Sequence, residues 1–168
     1  MALVVPHDPE WAEAFAAEAR ALTGAIGGTC VAIHHIGSTA IAGILAKPII
    51  DMLGVVGDFG ELQSASGRIE ALGYIAMGAF GIEGRRYYRK DNAEGQRTHH
   101  LHVYETGSPH IERHLAFRDY LRSHPVKAAE YSALKAQIIA SGEPYQQTKD
   151  SYVMRVEAEA LVWYRSTK

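Results

Sequence analysis

Residues 35–51, HIGSTAIAGILAKPIID, form the stretch of sequence that decides the fold. A strand predicted over residues 29–36 leads into this stretch and ends at the turn formed by Gly37, Ser38 and Thr39. A second strand is predicted over residues 48–56, where branched apolar residues occur on both faces, so this strand should be central and buried. A strand, a tight turn and a buried strand in succession indicate a sheet near the middle of the chain.

The same stretch predicts an anion-binding turn. Gly37 allows the backbone to turn tightly after a strand, and the residues that follow begin a helical turn whose free N–H groups point outward. Ser38 and Thr39 add hydroxyl donors, and Lys47 brings a cation to the start of the next strand. These four residues are therefore candidates for binding a phosphate group.

Asp51 is surrounded by apolar residues in the segment IIDML. An unpaired charge in such a core is costly, so the carboxylate needs a metal ion, a cation or several hydrogen bonds. Asp51 is therefore a candidate catalytic residue and metal ligand. In the alternative interpretation, it only caps a backbone segment or pairs with Lys47 or an arginine.

Alternation and helical spacing predict the remaining elements. Residues 85–90 and 97–104 have the pattern of two hairpin strands around the turn segment DNAEG. From Ser108 onward the chain is predicted to form three helices, separated near Pro125 and Gly142. The predicted class is α+β, a mixed β-sheet flanked by helices with a C-terminal helical segment. We expect one domain over residues 1–168, with its sheet core at about 29–105 and its C-terminal helices at about 108–166.

Composition excludes several classes of protein. The chain has 168 residues, a net charge of −2 and 47% hydrophobic residues, which argues against a broad nucleic-acid-binding surface and against long disorder. With Cys30 as its one cysteine, it can form neither an internal disulfide nor a cysteine-rich zinc site. The opening segment MALVVPHDPEW lacks the features of a signal peptide, and no window is apolar over the length of a membrane span. We therefore expect a cytoplasmic protein without a membrane partner.

Two histidines alternate with apolar residues in the second hairpin strand, HHLHVY. His100 and His102 share one face, whereas Leu101 and Val103 share the other and indicate the core. If this strand lies beside the Asp51 strand, the imidazoles flank the carboxylate. Imidazole favours transition metals over Mg²⁺, so the three side chains could hold Zn²⁺, Mn²⁺ or Fe²⁺. Alternatively, one histidine serves as a general base, or both are structural.

Basic residues cluster on the first hairpin strand and on a later helix. Arg86 and Lys90 share one face of the segment RRYYRKD, and arginine presents a fork that suits phosphate. The alternative is an edge strand made soluble by charge. Arg118, in the helix segment FRDYLR, could also reach the phosphate site. Lys135 and Lys149 are further candidates, although for each of these three residues the sequence favours an ordinary exposed salt bridge over a ligand contact.

The chain resembles the GrpB family, a branch of the nucleotidyltransferase superfamily that polymerase-β-like catalytic domains typify. The resemblance rests on the 35–51 motif and on segments that occur in the family's order. These segments are PHDPEW, RRYYRK, HHLHVY, FRDYLR and the stretch from Tyr145 to Lys149.

In the superfamily, a Gly-Ser turn holds the triphosphate, and three carboxylates, two of them in a D-x-D pattern, hold two divalent metals. The resemblance implies that Gly37 and Ser38 match the turn and that Asp51 matches the second acid. Ile49 occupies the position of the first acid, which puts two-metal catalysis in doubt because Mg²⁺ requires hard oxygen ligands. His102 or His100 would stand where the third carboxylate lies.

Three interpretations follow, and the sequence leaves them open. In the first, the protein binds a nucleoside triphosphate with Mg²⁺ or Mn²⁺ and transfers a nucleotidyl group to a small molecule or a protein. In the second, it binds a nucleotide or another phosphorylated ligand without catalysis. In the third, Asp51, His100 and His102 form a single-metal hydrolase site with Zn²⁺ or Fe²⁺. Asp51 and His102 are the predicted metal ligands. The acceptor substrate and the oligomeric state cannot be predicted from the sequence.

Overall fold

The computed structural model describes residues 4–167, which form a five-stranded mixed sheet with helices on both faces. The first half contains α1 (Trp11–Ile26), β1 (Cys30–Ile36), β2 (Ile50–Val56), α2 (Phe59–Ser64) and α3 (Ser66–Ala71). The second half contains β3 (Tyr74–Ala76), β4 (Arg86–Asp91), β5 (Arg97–Glu105), α4 (Pro109–Ser123), α5 (Pro125–Ser141) and α6 (Tyr145–Ser166). The predicted α+β class is confirmed.

The strands lie in the order β1-β2-β5-β4-β3. The central pair, β2 and β5, is parallel, and the other neighbours are antiparallel, so the sheet is mixed as predicted. The register of the central pair places Asp51 opposite His100 and Leu53 opposite His102. Because side chains alternate along a strand, Asp51 and both histidines project from the same face of the sheet.

One face of the sheet packs against α1, α2 and α3. Met52, Leu101, Val103 and Tyr88 point to this side, where they form a core cluster with apolar residues of the three helices, among them Leu22. Leu101 and Val103, which the sequence placed on the core face of their strand, are therefore buried on this side of the sheet. This packing fixes which residues of the central strands face the other way.

The opposite face is covered by the C-terminal helices. Ile36, Leu53 and Tyr104 form a cluster on this face, with Leu115 of α4 packed against it. A further cluster joins the loop between β1 and β2 to α4, α5 and α6, and it includes Tyr131. The helices thus lie over the same side of the sheet as Asp51 and form a wall beside it.

Three local features differ from the sequence prediction. The second strand begins at Ile50, after Pro48, which has no N–H to donate to a ladder. Residues after Gly37 form only a 3₁₀ turn, Ser38–Ala40, in place of a longer helical segment. The edge strand β3 spans three residues and was not predicted. Among the described helices, none is long and apolar enough to span a bilayer.

Candidate functional site

A cavity of about 230 Å³ lies between the sheet and the C-terminal helices. Besides Asp51, five polar residues that the sequence singled out line this cavity, and they lie on the sheet or on the loop that precedes β2. The full lining is Ser38, Thr39, Lys47, Ile49, Asp51, His100, His102, Lys135, Tyr145, Gln146 and Lys149. The structure therefore brings together most of the predicted site residues.

Asp51 and His102 form a hydrogen bond of 2.7 Å between Oδ1 and Nε2. The other ring nitrogen of His102, Nδ1, lies 3.2 Å from Nη1 of Arg85. A guanidinium group can only donate hydrogen bonds, so Nδ1 of a neutral His102 accepts. The hydrogen of the ring is then on Nε2, from which it is donated to Asp51.

Burial by itself would raise the pKa of the Asp51 carboxyl, but the neighbouring histidines and the hydrogen bond from His102 hold that pKa below its usual value. Asp51 is therefore ionised at neutral pH. Its carboxylate packs against Gly37, whose φ is 71°. A Cβ atom at Gly37 would lie 2.8 Å from Oδ2 of Asp51. Glycine is thus required here both for the backbone conformation and for the space that the carboxylate occupies.

Asp51, His100 and His102 form the one cluster within residues 4–167 whose ligand atoms could share a metal ion. One ligand atom from each residue lies within 4.8 Å of the others. Burial lowers the pKa of His100 to about 4, so its imidazole is neutral near pH 7. An ionised carboxylate and a neutral imidazole are the protonation states that metal binding needs. His102 could join them only by losing the Nε2 hydrogen that Arg85 favours.

Three lysines line the same cavity as this cluster, Lys47 from the loop before β2 and Lys135 and Lys149 from the C-terminal helices. Across the described chain, Lys47, Lys135 and Lys149 form no salt bridge with a carboxylate. Their ammonium groups instead lie over aromatic rings. Lys47 and Lys149 are 5.1 Å and 5.9 Å from the ring centre of Tyr145, and Lys135 is 4.2 Å from that of Tyr131. The cavity thus combines uncompensated positive charge with a carboxylate and two imidazoles.

Lys135 is the most deeply buried of the three lysines, with 1% of its surface exposed. Its Nζ donates to Oγ of Ser38 and, at 2.8 Å, to the carbonyl oxygen of Leu45. Burial, followed by the charges of Lys149 and Lys47, lowers the pKa of Lys135 to about 7. An anion in the cavity would stabilise the charged form of this amine.

Arg86 and Lys90, predicted to bind phosphate, do not line the cavity. Both lie on the face of β4 that packs toward α1 and α2, on the same side as the buried ring of Tyr88. Lys90 forms an ion pair of 3.0 Å with Glu18 of α1. The guanidinium of Arg86 lies 4.4 Å from the ring centre of Phe59.

Arg118 and Thr39 each form a hydrogen bond with His35, which lies two residues before Gly37. Arg118 donates to the carbonyl oxygen of His35 at 3.2 Å and to Asp119 at 2.8 Å, and it does not line the cavity. The hydroxyl of Thr39 lines the cavity but is hydrogen-bonded to Nε2 of His35 at 2.9 Å. Arg118 therefore contacts the end of β1 and lies outside the cavity that the other predicted phosphate-binding residues line.

The sequence interpretation undervalued Lys135 and missed the role of Arg85. Tyr131, Lys135 and Ile138 recur at the spacing of one helix face, so a lysine interrupts the apolar stripe of α5. That interruption was the available signal of a buried lysine. No comparable signal marked Arg85, because both faces of β4 carry arginine and tyrosine.

A second cavity, of about 160 Å³, reaches Asp51 from the side of α4 and α6. Gly37, His114, Asp150 and Glu157 are among its lining residues. Burial, followed by the charge of Arg113, lowers the pKa of His114 to about 3, so this imidazole is neutral. Asp51 thus lines both cavities.

The fold and the site define an α+β protein with a lysine-lined cavity facing an aspartate–histidine cluster. The model of the GrpB protein family matches residues 2–159. The chain belongs to the GrpB family.

Known relatives agree with this assignment. The crystal structure of the conserved protein GrpB from Enterococcus faecalis superposes with a TM-score of 0.88 and is 40% identical, covering 96% of this chain and 98% of that one. The glutamate-rich protein GrpB of Alkalihalophilus pseudofirmus is 34% identical over 89% of this chain and 86% of its own length. UPF0157 protein YqkA of Bacillus subtilis is 44% identical over 95% of this chain. The chain spans about half of YqkA, 47% of its length.

Proposed function

We propose that this protein binds a nucleoside triphosphate and one divalent cation in the cavity and transfers the nucleotidyl group to a small molecule or a protein. The observation that carries the proposal is the arrangement of charge. Three lysines without carboxylate partners face an ionised aspartate and a neutral histidine across a single cavity. The lysines suit the phosphate groups, and the aspartate and histidine suit a cation bound to those phosphates.

The donor set fits a single cation. Asp51 and His100 would hold it, and the cation would neutralise charge that develops on the phosphate oxygens. Ile49 lines the cavity at the position where the superfamily has its first acid, so a second metal ion lacks a ligand there. Because the set includes imidazole, we expect Mn²⁺ or Zn²⁺ to bind more tightly than Mg²⁺.

The lysines supply the positive charge that a two-metal site would otherwise provide. In the transfer step, the oxygen of the acceptor hydroxyl forms a bond to the α-phosphorus and loses its proton to solvent, and the bond from that phosphorus to pyrophosphate breaks. Lys47, Lys135 and Lys149 would stabilise the negative charge on the departing pyrophosphate. The second cavity gives an acceptor its own approach to Asp51. This feature favours transfer over simple hydrolysis.

A single-metal hydrolase remains the second candidate, and the specific observation in its favour is the Asp51, His100 and His102 cluster. Elemental analysis of the purified protein would support this alternative if it showed stoichiometric zinc or iron. Water would then be the acceptor, and nucleoside monophosphate would be released without any modified product.

The test is pyrophosphate release from each of the four nucleoside triphosphates in the presence of Mn²⁺ or Mg²⁺, with and without candidate acceptors. We expect Asp51→Asn to abolish release and Lys47→Met to reduce nucleotide affinity about tenfold, the effect of losing one charge-assisted contact. Lys127→Met is the matched control, because Lys127 lies on α5 and pairs with Glu159 at 3.5 Å outside the cavity. Calorimetry that detects no binding of any nucleotide would overturn the proposal.

A further inference from the structure

The loop between β3 and β4 displays an aromatic side chain next to the site. Phe80 is 55% exposed, and its φ is 46°. Within residues 4–167, it is the only residue other than glycine with a positive φ. A backbone conformation of this kind costs about 1–3 kcal/mol and is typical of functional sites. An exposed phenyl ring returns little of that free energy through burial, so folding alone does not explain the conformation.

Arg85 holds the loop in this conformation. Its side chain is 6% exposed and donates to the carbonyl oxygens of Ala79 and Phe80, at 3.2 Å and 2.9 Å. The same guanidinium contacts Nδ1 of His102 and lies 4.8 Å from the ring centre of Tyr87. One guanidinium group therefore fixes both the position of Phe80 and the orientation of a histidine that lines the cavity.

The ring of Phe80 is connected to the cavity through Tyr87. The two rings are stacked, with centroids 5.3 Å apart and an interplanar angle of 27°. The ring centroid of Tyr87 in turn lies 5.3 Å from that of His102 and 5.7 Å from that of His100. Phe80 thus lies two ring contacts from the aspartate–histidine cluster, on the same side of the sheet.

A cation lies close to the Phe80 ring. The guanidinium of Arg89 is 5.9 Å from the ring centre, and its Nε is buried without a hydrogen-bond partner. With Tyr87 stacked on the ring and Arg89 close to it, the 55% exposure of Phe80 leaves part of the ring open to a further stacking partner.

We propose that Phe80 is the stacking surface for the base of the nucleotide whose phosphates occupy the lysine-lined cavity. This inference rests on the proposed function and assigns the base a position outside the cavity. The cavity of about 230 Å³ is smaller than the roughly 300–1,000 Å³ that encloses a whole drug-sized ligand, so the phosphates fill it and the base remains at its edge. Because every base has a π-face, this site accepts adenine, guanine and pyrimidines.

The experiment compares ATP with tripolyphosphate, each titrated with Mn²⁺ present into wild-type protein and into three variants by calorimetry. Phe80→Gly removes the ring and also relieves the backbone strain, so it keeps the fold intact. Phe80→Leu keeps an apolar side chain without a π-system. Val162→Ala, at an exposed position on α6, is the matched control for loss of a surface apolar group.

We expect Phe80→Gly and Phe80→Leu to weaken ATP binding about 5- to 150-fold, the range that corresponds to stacking of one base, and to leave tripolyphosphate binding unchanged. A change in ATP affinity of less than twofold, with both ligands still bound, would overturn the base site while the proposed function stands. If wild-type protein binds neither ligand, the proposed function fails and the base site fails with it.

Discussion

Nε2 of His102 lies 2.7 Å from Oδ1 of Asp51, although 51 residues separate the two along the chain. The parallel pairing of β2 with β5 creates this contact, because it aligns the start of one strand with the histidine-bearing strand. On its other side, His102 accepts from Arg85. The imidazole of His102 therefore donates a hydrogen bond to the carboxylate of Asp51.

The substitution Arg85→Met should remove the preference of His102 for the tautomer that carries its hydrogen on Nε2. Without the guanidinium, Nδ1 of His102 is free to carry the ring hydrogen, and we expect a mixture of tautomers in long-range ¹H–¹⁵N spectra of the histidine rings. We also expect a loss of about 1–3 kcal/mol in the free energy of unfolding, because a buried set of hydrogen bonds is removed. Arg20→Met on the exposed side of α1 is the control. Ring-nitrogen spectra identical to those of the wild-type protein would contradict the role of Arg85.

Gly37→Ala should damage the site more than a glycine substitution with the same sign of φ elsewhere. At Gly37, the new methyl group would meet Oδ2 of Asp51 at 2.8 Å, whereas at Gly43, with a φ of 82°, it would meet nothing within 4 Å. Both variants carry backbone strain of about 1–3 kcal/mol. We expect Gly37→Ala to be the less stable in urea unfolding and to lose the increase in Tm that Mn²⁺ produces. Equal stability and equal metal response in the two variants would show that Asp51 does not pack as described.

Lys135 should make stability depend on pH. Its pKa is about 7 in the folded protein and that of an ordinary lysine, about 10.4, in the unfolded chain. Between these values the unfolded chain binds more protons, so stability increases as the pH rises above 7, by up to about 1.4 kcal/mol per pH unit. Below pH 7 this contribution no longer changes.

The measurement is urea unfolding of wild-type protein and Lys135→Met at pH 7, 8 and 9. The difference in unfolding free energy between the two proteins isolates Lys135 from other groups that titrate in this range. Saturating sulfate should flatten the wild-type profile, because an anion in the cavity raises the pKa of the amine. Parallel profiles in the absence of sulfate would mean that Lys135 keeps its charge on folding.

Arg86→Ala and Lys90→Ala should leave nucleotide affinity within twofold of wild type, because both side chains lie on the α1 side of the sheet. Lys90→Ala should lower the unfolding free energy by about 1 kcal/mol, since it leaves Glu18 without its ion pair. Calorimetry with ATP and thermal unfolding together check both statements. A tenfold loss of ATP affinity in either variant would restore that residue to the site.

Much of the fold and the centre of the site could be predicted from local patterns. Alternation along HHLHVY placed His100 and His102 on one face, and the apolar surroundings of Asp51 indicated a central strand. Both inferences depend on the two-residue period of a strand, which the backbone imposes wherever a strand forms. The mixed sheet then brought the three side chains together.

The positions that could not be predicted depend on packing between distant segments. Each face of β4 carries basic and aromatic side chains, so alternation could not decide which row would be buried. The choice is made by α1, where Glu18 accepts hydrogen bonds from both Tyr74 and Lys90. Likewise, the depth of Lys135 depends on its hydrogen bonds to Ser38 and Leu45, about ninety residues away in sequence. Local periodicity contains no information about such partners.

The lysine-lined cavity also has a consequence for the rate of ligand capture. The chain carries a net charge of −2, yet the cavity wall bears three lysines and a single aspartate. A concave positive recess in a weakly negative surface focuses the electric field at its mouth. Anionic ligands would therefore be steered into it, with an association rate constant that falls as salt shortens the Debye length to about 8 Å at physiological ionic strength. Encounter, as well as residence, is governed by these three side chains.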